Sequence, residues 1–252
     1  MADPVPGLLD KALTMLALIG REGTCSLARV AGELDLPLST LHRLAQTLTA
    51  RGYLIRLGRG RYCLGTAVLS LAGGRRLEDL LVDVGGPLVD DLARQCRASS
   101  HLGVFDGEMV TYLVKRSFGR EKLFTAEGMQ LEAYCSGIGK VLLAHLPVAS
   151  RRTYLATGDL VALTPRTITD PGRLEHELAQ VRERGWAMDD EEVLTGLRCV
   201  AVPVHDGAGG VCAALSVSAA VVRMPPDRVA ELLPRLQATA TAIRRHLFPQ
   251  AG

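Results

Sequence analysis

Residues 27–65 have the sequence LARVAGELDLPLSTLHRLAQTLTARGYLIRLGRGRYCLG, and this stretch decides the fold of the first part of the chain. Its first apolar residues recur at helical spacing, and Ser26 precedes them as the predicted N-cap. Pro37 ends that helix because it lacks a backbone N–H and restricts the residue before it. A second helix follows, with Ser39 or Thr40 as its predicted cap, and a basic strand–turn–strand completes the segment. This order is typical of a winged helix-turn-helix, which lays one helix in the DNA major groove.

The polar face of the second helix and the hairpin behind it supply candidate DNA contacts. Short polar groups near the helix N-terminus and one arginine suit phosphates and base edges, and an arginine-rich hairpin suits phosphates or the minor groove. The candidate residues are Ser39, Thr40, His42, Arg43, Gln46, Arg56, Arg59 and Arg61. The alternative is a small helical domain with a solvated basic hairpin, but the full order of elements favours double-stranded operator DNA as the partner.

Charge is distributed unevenly along the 252 residues, whose formal net charge is +2. Counting Lys, Arg, Asp and Glu gives +5 for residues 1–76 and, by difference, −3 for residues 77–252. The positive charge therefore lies on the predicted DNA-binding part. Because this excess is modest and one recognition helix contacts few base pairs, we expect the protein to bind DNA as a homodimer or homotetramer.

Several classes of protein are disfavoured by the sequence. No apolar run of membrane length and no signal peptide is recognised, so a cytoplasmic protein without a membrane partner is expected. The six cysteines form no C-x-x-C pair, and His101, His145, His176 and His246 stand alone, so neither a metal nor a cofactor is predicted. The G-x-x-x-x-G-K-[ST] phosphate loop is absent as well.

The remainder of the chain alternates between strand and helix signals, which predicts an α+β fold with an antiparallel sheet and helices on its faces. An N-terminal helix at about 8–19 is expected to pack Leu9, Leu13, Leu16 and Ala17 against the motif. Gly85-Gly86-Pro87 is expected to mark a boundary, with Pro87 starting a new helix. The predicted divisions are a winged helix-turn-helix at 1–65, a linker helix at 66–85, and an effector-binding and oligomerisation domain at 86–252.

Four ordered motifs resemble the IclR family of bacterial transcriptional regulators. LPLSTLHRLAQTL (36–48) with GRGRYCLG (58–65) is similar to its recognition helix and wing, and YCSGIGKVLLAHLP (134–147) to its signature near the effector pocket. RGWAMDDEEVLTGLRCVAVPVHD (184–206) and GGVCAALSVSA (209–219) are similar to its C-terminal signature. The resemblance implies a winged helix, a linker helix, a GAF-like effector domain, and dimers commonly paired as tetramers.

An effector site is also suggested by the residues themselves. Ser136 to Lys140 open a helix with small residues, so free backbone N–H groups are expected to face a ligand there. Ser216 and Ser218 lie two apart on an apolar strand and therefore point to one face, and Asp189 ends another strand. This combination suits a small hydroxylated or keto acid. The pocket positions implied by the resemblance are Leu123, Gly137, Ile138, Asp189, Leu197, Cys199, Ser216 and Ser218.

Other interpretations of these residues stay open. The two serines could bond only to backbone, Cys199 could be ordinary core, and Asp189 with the acidic residues after it could be a solvated turn. The favoured function is a ligand-responsive DNA-binding regulator without catalytic activity, with repression favoured by the resemblance. The alternative is a small-molecule enzyme built on the C-terminal domain with an N-terminal interaction module, although no nucleophile–base pair is evident.

Overall fold

The computed structural model describes residues 7–119 and 123–249. The chain divides into two compact units between Arg76 and Leu77, here called the N-terminal unit and the C-terminal unit. The division falls inside the segment 66–85 that was predicted to be a linker. The ends of the predicted domain ranges, at 1–6 and 250–252, lie outside the described residues. Among the helices of the described residues, none is long and apolar enough to cross a membrane.

The N-terminal unit contains the predicted helix–turn–helix and wing. Its elements are α1 (Leu8–Glu22), β1 (Cys25–Ser26), α2 (Leu27–Leu34), α3 (Leu38–Ala50), β2 (Leu54–Arg56), β3 (Arg61–Leu64) and α4 (Thr66–Ala72). The three strands form an antiparallel sheet in the order β1-β3-β2. The hydroxyl of Ser26 accepts a hydrogen bond from the backbone N–H of Arg29, which confirms the predicted cap of α2.

Two local predictions for this unit were wrong. The second helix begins at Leu38, before Ser39 and Thr40, because the Pro37 carbonyl accepts the first bonds, from the N–H groups of Thr40 (3.0 Å) and Leu41 (3.3 Å). The face of α1 that packs into the core is formed by Met15, Leu18 and Ile19. Of the four residues predicted to pack, Leu16 is half-buried against this core, whereas Leu9, Leu13 and Ala17 are exposed, because a helix with apolar residues on two sides can bury only one side in a small core.

The C-terminal unit is a six-stranded antiparallel sheet with helices on both faces, which confirms the α+β prediction. Its helices are α5 (Leu77–Cys96), α6 (Gly137–His145), α7 (Val148–Thr157), α8 (Pro171–Arg184) and α9 (Pro226–Leu247). Its strands are β4 (Ser99–Phe105), β5 (Met109–Arg116), β6 (Gln130–Glu132), β7 (Ala187–Asp190), β8 (Leu197–His205) and β9 (Val211–Ala220). The sheet order is β6-β5-β4-β9-β8-β7.

The sheet separates two apolar cores. Val200, Leu215 and Val217 point toward α5 and α9, while Ala201 and Ala214 point toward α6 and α8. Neighbouring residues on a strand face opposite sides, so β8 and β9 each contribute to both cores. This alternation decides which polar residues of the same strands lie under α6.

The predicted break at Gly85-Gly86-Pro87 does not occur, because α5 runs through it without interruption from Leu77 to Cys96. Gly85 and Gly86 are buried, and a Cβ on Gly85 would lie 2.6 Å from a methyl group of Leu102 on β4. The glycine therefore permits close packing of the helix on the sheet. The packing of the whole helix outweighs the local cost of one proline.

Candidate DNA-binding surface and effector site

Helix α3 is amphipathic, and its polar face is the candidate DNA-reading surface. Leu41, Leu44 and Ala45 are buried in the core of the N-terminal unit. The candidate residues of the opposite face are exposed at Ser39, His42, Arg43 and Gln46 and half-buried at Thr40. The helix therefore presents to solvent the polar side chains that the sequence predicted, with the leucines holding it against the rest of the unit.

The wing is a short antiparallel hairpin with a tight basic tip. β2 and β3 are joined by a 3-10 turn at Gly58–Gly60, in which Arg59 adopts the left-handed conformation with φ of 61°. Arg56, Arg59 and Arg61 are all exposed. The Arg61 guanidinium donates a hydrogen bond to the hydroxyl of Thr24, the residue before β1, so this side chain is already engaged within the protein. Arg59 at the tip is therefore the better candidate for a phosphate contact.

In the C-terminal unit, strand pairing aligns polar residues that are far apart in the sequence. One row across the sheet consists of Asp189, Cys199, Ser218 and Ser99, because each pairs with the next on the neighbouring strand. The adjacent row consists of Ala187, Ala201, Ser216, His101 and Lys115 by the same registers. Paired residues share a face of the sheet, and Ala187 and Ala201 belong to the core beneath α6. Both rows therefore lie on the α6 side.

The first turn of α6 lies directly over these rows. A Cβ on Gly137 would be 3.4 Å from the Cβ of Ala201 and 3.6 Å from that of Cys199. Ile138 is 1 % exposed, and Leu197 lies two residues before Cys199 on the same face of β8. The structure thus brings Gly137, Ile138, Leu197 and Cys199 together from two separate motifs.

The expectation of free amides over the whole stretch 136–140 was wrong. The hydroxyl of Ser136 caps α6 by accepting from the N–H of Gly139 at 3.1 Å. The carbonyl of Ser136 accepts from the N–H of Lys140 at 2.9 Å, in the ordinary helical pattern. Two of the backbone N–H groups that were expected to face a ligand, those of Gly139 and Lys140, are therefore used within the helix. The N–H groups of Gly137 and Ile138 remain as candidates for a ligand contact.

Asp189 is a buried carboxyl group with defined partners. It is 1 % exposed, and its Oδ1 accepts from the N–H groups of Glu192 (2.7 Å) and Val193 (3.3 Å). Burial raises its pKa to about 7, although the two backbone hydrogen bonds act in the opposite direction. The interpretation of Asp189 as part of a solvated acidic turn is therefore wrong.

The groups around Asp189 are held in their neutral forms. Burial, followed by the charge of Asp189, raises the pKa of the Cys199 thiol well above its ordinary value, and a hydrogen bond with Ser218 lowers it in part. Burial also raises the pKa of Tyr112, with further contributions from the charges of Cys199 and Asp189. These side chains consequently act as neutral hydrogen-bonding groups around the row.

His101, Lys115 and Thr125 also lie next to this candidate site, although no sequence pattern indicated them. The ammonium group of Lys115 donates to the carbonyl of Leu123 at 3.0 Å and also to the carbonyl of Thr125. The hydroxyl of Thr125 contacts Nε2 of His101 at 2.9 Å. Leu123 is thereby tied to the site through its backbone. These residues could have been predicted only from the pairing of the strands, because that pairing places His101 opposite Ser216.

The side chain of Lys140 has a role that the sequence pattern did not predict. Its side chain is 1 % exposed, and its ammonium group forms an ion pair with the buried carboxylate of Glu192. It also donates to the carbonyl of Met188 at 3.0 Å and lies 3.9 Å from the carboxylate of Glu177. Lys140 thus fastens the first turn of α6 to the segment that follows Asp189.

Comparison with known proteins identifies the family. The family described as "Bacterial transcriptional regulator IclR C-terminal" matches residues 79–245, and the "IclR helix-turn-helix domain" matches residues 8–58. The chain belongs to the IclR family. It is an IclR-type transcriptional regulator, with the family's helix-turn-helix domain and the C-terminal domain through which such regulators bind small-molecule effectors.

The sequence of the chain is similar to those of named relatives over most of their length. The chain is 33 % identical over 233 residues to the HTH-type transcriptional regulator BhcR of Paracoccus denitrificans, covering 89 % of this chain and 81 % of the relative. It is 30 % identical to the HTH-type transcriptional repressor AllR of Salmonella paratyphi A, covering 87 % and 82 %. The crystal structure of Thermotoga maritima IclR has a TM-score of 0.62 at 28 % identity, covering 95 % of this chain and 98 % of that chain.

Proposed function

We propose that this regulator is a repressor that binds operator DNA in the bacterial cytoplasm as a dimer or tetramer and responds to a small hydroxylated or keto acid. The observation that carries the effector assignment is the row Asp189, Cys199, Ser218 and Ser99, which lies on the α6 side of the sheet beneath the first turn of that helix. Repression is supported by a relative, AllR, that is named a transcriptional repressor.

The proposed DNA contacts are the exposed candidates on α3 and the wing, with Arg43 and Arg59 as the principal cations. Both are exposed, and they lie on the two elements that a winged helix-turn-helix presents to the duplex. The short polar side chains of α3 would contact base edges, and the wing arginine would contact phosphate or the minor groove.

Replacement of either arginine by alanine is expected to weaken operator binding. Each lost phosphate contact should lower the slope of log affinity against log salt by about one unit. Fluorescence anisotropy with DNA flanking the regulator's own gene, over a range of salt concentrations, measures both quantities. Arg152→Ala is the matched control, because Arg152 is exposed on α7 of the C-terminal unit. Unchanged affinity and slope in Arg43→Ala and Arg59→Ala would contradict the assignment.

A second copy of the chain is the proposed occupant of an apolar groove in the N-terminal unit. The groove has a volume of about 530 Å³, and the residues that line it are Leu9, Ala12, Leu13, Leu16, Ala17, Gly20, Leu48, Tyr53, Leu64, Val68 and Leu71. Leu9 is 74 % and Leu71 is 71 % exposed, which is unusual for large apolar side chains in a single copy. The same anisotropy titration gives the number of protein chains bound per operator. Binding of a single chain with full affinity would contradict this arrangement.

The proposed effector site combines groups that suit an acid with a second polar group. The hydroxyls of Ser216 and Ser218 point to one face, and the first turn of α6 directs backbone N–H groups and the positive end of its dipole to the same place. Asp189 is protonated below its pKa of about 7 and can then donate a hydrogen bond to a carboxylate. A small organic anion is the ligand that this set of donors fits best.

Ser218→Ala and Asp189→Ala are expected to reduce the affinity for an acid effector by roughly ten- to a hundredfold, because each removes a hydrogen-bond partner of a buried ligand group. Operator binding without effector should stay at the parental level. A panel of acetate, lactate, pyruvate, benzoate and 4-hydroxybenzoate, tested for release of operator DNA, provides the measurement. Parental responses in both variants would place the effector elsewhere.

The affinity of the parent for an acid should also depend on pH. As the pH rises through about 7, Asp189 ionises, loses its donor and repels the anionic ligand. Affinity is therefore expected to fall by up to about tenfold per pH unit above that value. Asp189→Asn keeps an oxygen acceptor for the backbone and an N–H donor for the ligand but has no proton to lose, so its affinity should be independent of pH between 6 and 8.

An enzymatic role for the C-terminal unit receives little support from its thiols. Burial raises the pKa of Cys199 and also that of Cys135, so neither is ionised near neutral pH. A cysteine nucleophile requires a thiolate or an adjacent base. The relatives with which the chain was compared are named as transcriptional regulators.

A further inference from the structure

The geometry points to His101 as the residue that makes the effector site selective for acids carrying a second hydrogen-bonding group, such as a hydroxyl. This inference rests on the proposed effector function and extends it to the class of ligand. His101 is one of the row that contains Ser216, so it lies at the end of the site opposite to Asp189.

The imidazole of His101 is buried with one nitrogen unsatisfied. The residue is 1 % exposed, and among the described residues its Nδ1 has no hydrogen-bond partner, whereas its Nε2 contacts Thr125. A buried polar atom without a partner costs free energy, so such atoms are rare and call for an explanation. A ligand that contacts Nδ1 when it binds would remove this cost.

The position of His101 brings it within reach of a ligand held by the two serines. His101 pairs directly with Ser216, and such cross-strand neighbours have their Cβ atoms about 5 Å apart. Ser218 is the diagonal neighbour, at about 7–8 Å. The ring of Tyr112 packs against that of His101 with centroids 4.9 Å apart, which restricts the orientation of the imidazole.

The charge state of His101 indicates which part of a ligand it contacts. Burial, aided by the positive charge of Lys115, lowers its pKa to about 3, so the imidazole is neutral at physiological pH. A neutral imidazole offers one donor and one acceptor and attracts an anion only weakly. If the hydroxyl of Thr125 donates to Nε2, the ring proton is on Nδ1, which can then donate to a ligand. If the hydroxyl accepts from Nε2, Nδ1 is an acceptor. This chemistry fits a ligand hydroxyl, while the acid group lies toward α6.

Matched pairs of acids that differ by one hydroxyl test the inference. The pairs are glycolate with acetate, lactate with propionate, and 4-hydroxybenzoate with benzoate, each titrated into the full-length protein by calorimetry. We expect the parent to bind at least one hydroxylated member about tenfold or more tightly than its partner, because the plain acid leaves Nδ1 unpaired.

Two substitutions separate recognition from packing. His101→Phe keeps the ring against Tyr112 and removes both nitrogens, so the ratio of affinities within a pair should fall to near one. His101→Asn retains polar atoms at the δ position and should keep a preference for the hydroxylated acid. If His101→Phe fails to fold because Thr125 loses its partner, His101→Phe/Thr125→Val removes both polar groups and should give the same ratio near one.

The possible failures are distinguishable. If the parent binds both members of every pair equally, or if His101→Phe keeps the parental ratio, the role of His101 is overturned while the acid effector stands. If the parent binds none of the acids and none releases operator DNA, the proposed effector class is overturned, and the role of His101 falls with it.

Discussion

Lys140→Met is expected to destabilise the C-terminal unit by about 3–5 kcal/mol, because it leaves the carboxylate of Glu192 buried without a countercharge. The side chain of Glu192 is 7 % exposed, and its Oε2 has no hydrogen-bond partner among the described residues. The ion pair with Lys140 is therefore what makes this charge tolerable. Chemical denaturation followed by the fluorescence of Trp186, the single tryptophan, reports on the C-terminal unit.

The loss should depend on pH in a defined direction. Burial already raises the pKa of Glu192, and Lys140 lowers it, so removing the ammonium group raises that pKa further. A carboxyl group whose pKa is raised in the folded state loses stability as the pH increases from its unfolded value through its folded value. Lys140→Met should therefore be less stable at pH 8 than at pH 5.

A double variant supplies the control for this prediction. Lys140→Met/Glu192→Leu removes both charges, and replacing a buried ion pair with apolar residues is often neutral or stabilising. Its stability should lie within about 2 kcal/mol of the parent and should show a weaker dependence on pH than Lys140→Met does. If Lys140→Met is as stable as the parent at pH 8, the ion pair does not carry the energy assigned to it.

Local features of the fold were predictable because neighbouring residues determine them. Ser26 caps α2 and Asp170 caps α8 through their own side chains. Asp106 closes the β4–β5 hairpin by accepting from the N–H groups of Glu108 and Met109. Each of these interactions spans at most three residues, so the sequence pattern contains all the partners.

The arrangement of the site was predictable only in part. Ser216 and Ser218 share a face because they are two apart on one strand, which the pattern alone reveals. His101 lies on β4 and Asp189 on β7, and only the sheet order places β4 next to β9 and β7 one strand further away, beyond β8. His101 was accordingly interpreted as an isolated histidine, and Lys115 and Thr125 were passed over.

Burial also changes chemistry in ways that residue type does not predict. Asp189 stands in an acidic run with Asp190 and Glu191, which in a sequence resembles a solvated turn. In the structure Asp189 is on the α6 side of the sheet, while Asp190 forms ion pairs with Arg166 and Arg198. Alternation along β7 thus gives two adjacent aspartates different environments.

Gly139→Ala is expected to disrupt the packing of α6, since its Cβ would lie 2.1 Å from the carbonyl oxygen and 2.4 Å from the Cα of Ala133. These are backbone atoms that cannot rotate away, so either α6 or the strand-end segment before it must move. Overpacking of this kind costs about 1–3 kcal/mol or more, and the loss should appear in the same tryptophan-detected unfolding.

The matched control is Gly137→Ala, one half-turn earlier on the same helix. Its Cβ would meet Ala201 and Cys199 at 3.4 and 3.6 Å, which is ordinary van der Waals contact. Stability should therefore change by less than about 1 kcal/mol, within the range of helix propensity. Because the added methyl group would project from α6 toward Ala201 and Cys199, within the proposed effector site, binding of the acid panel should nevertheless weaken. Equal stability of the two variants would contradict the close approach at Gly139, and parental acid binding by Gly137→Ala would move the effector away from this turn of α6.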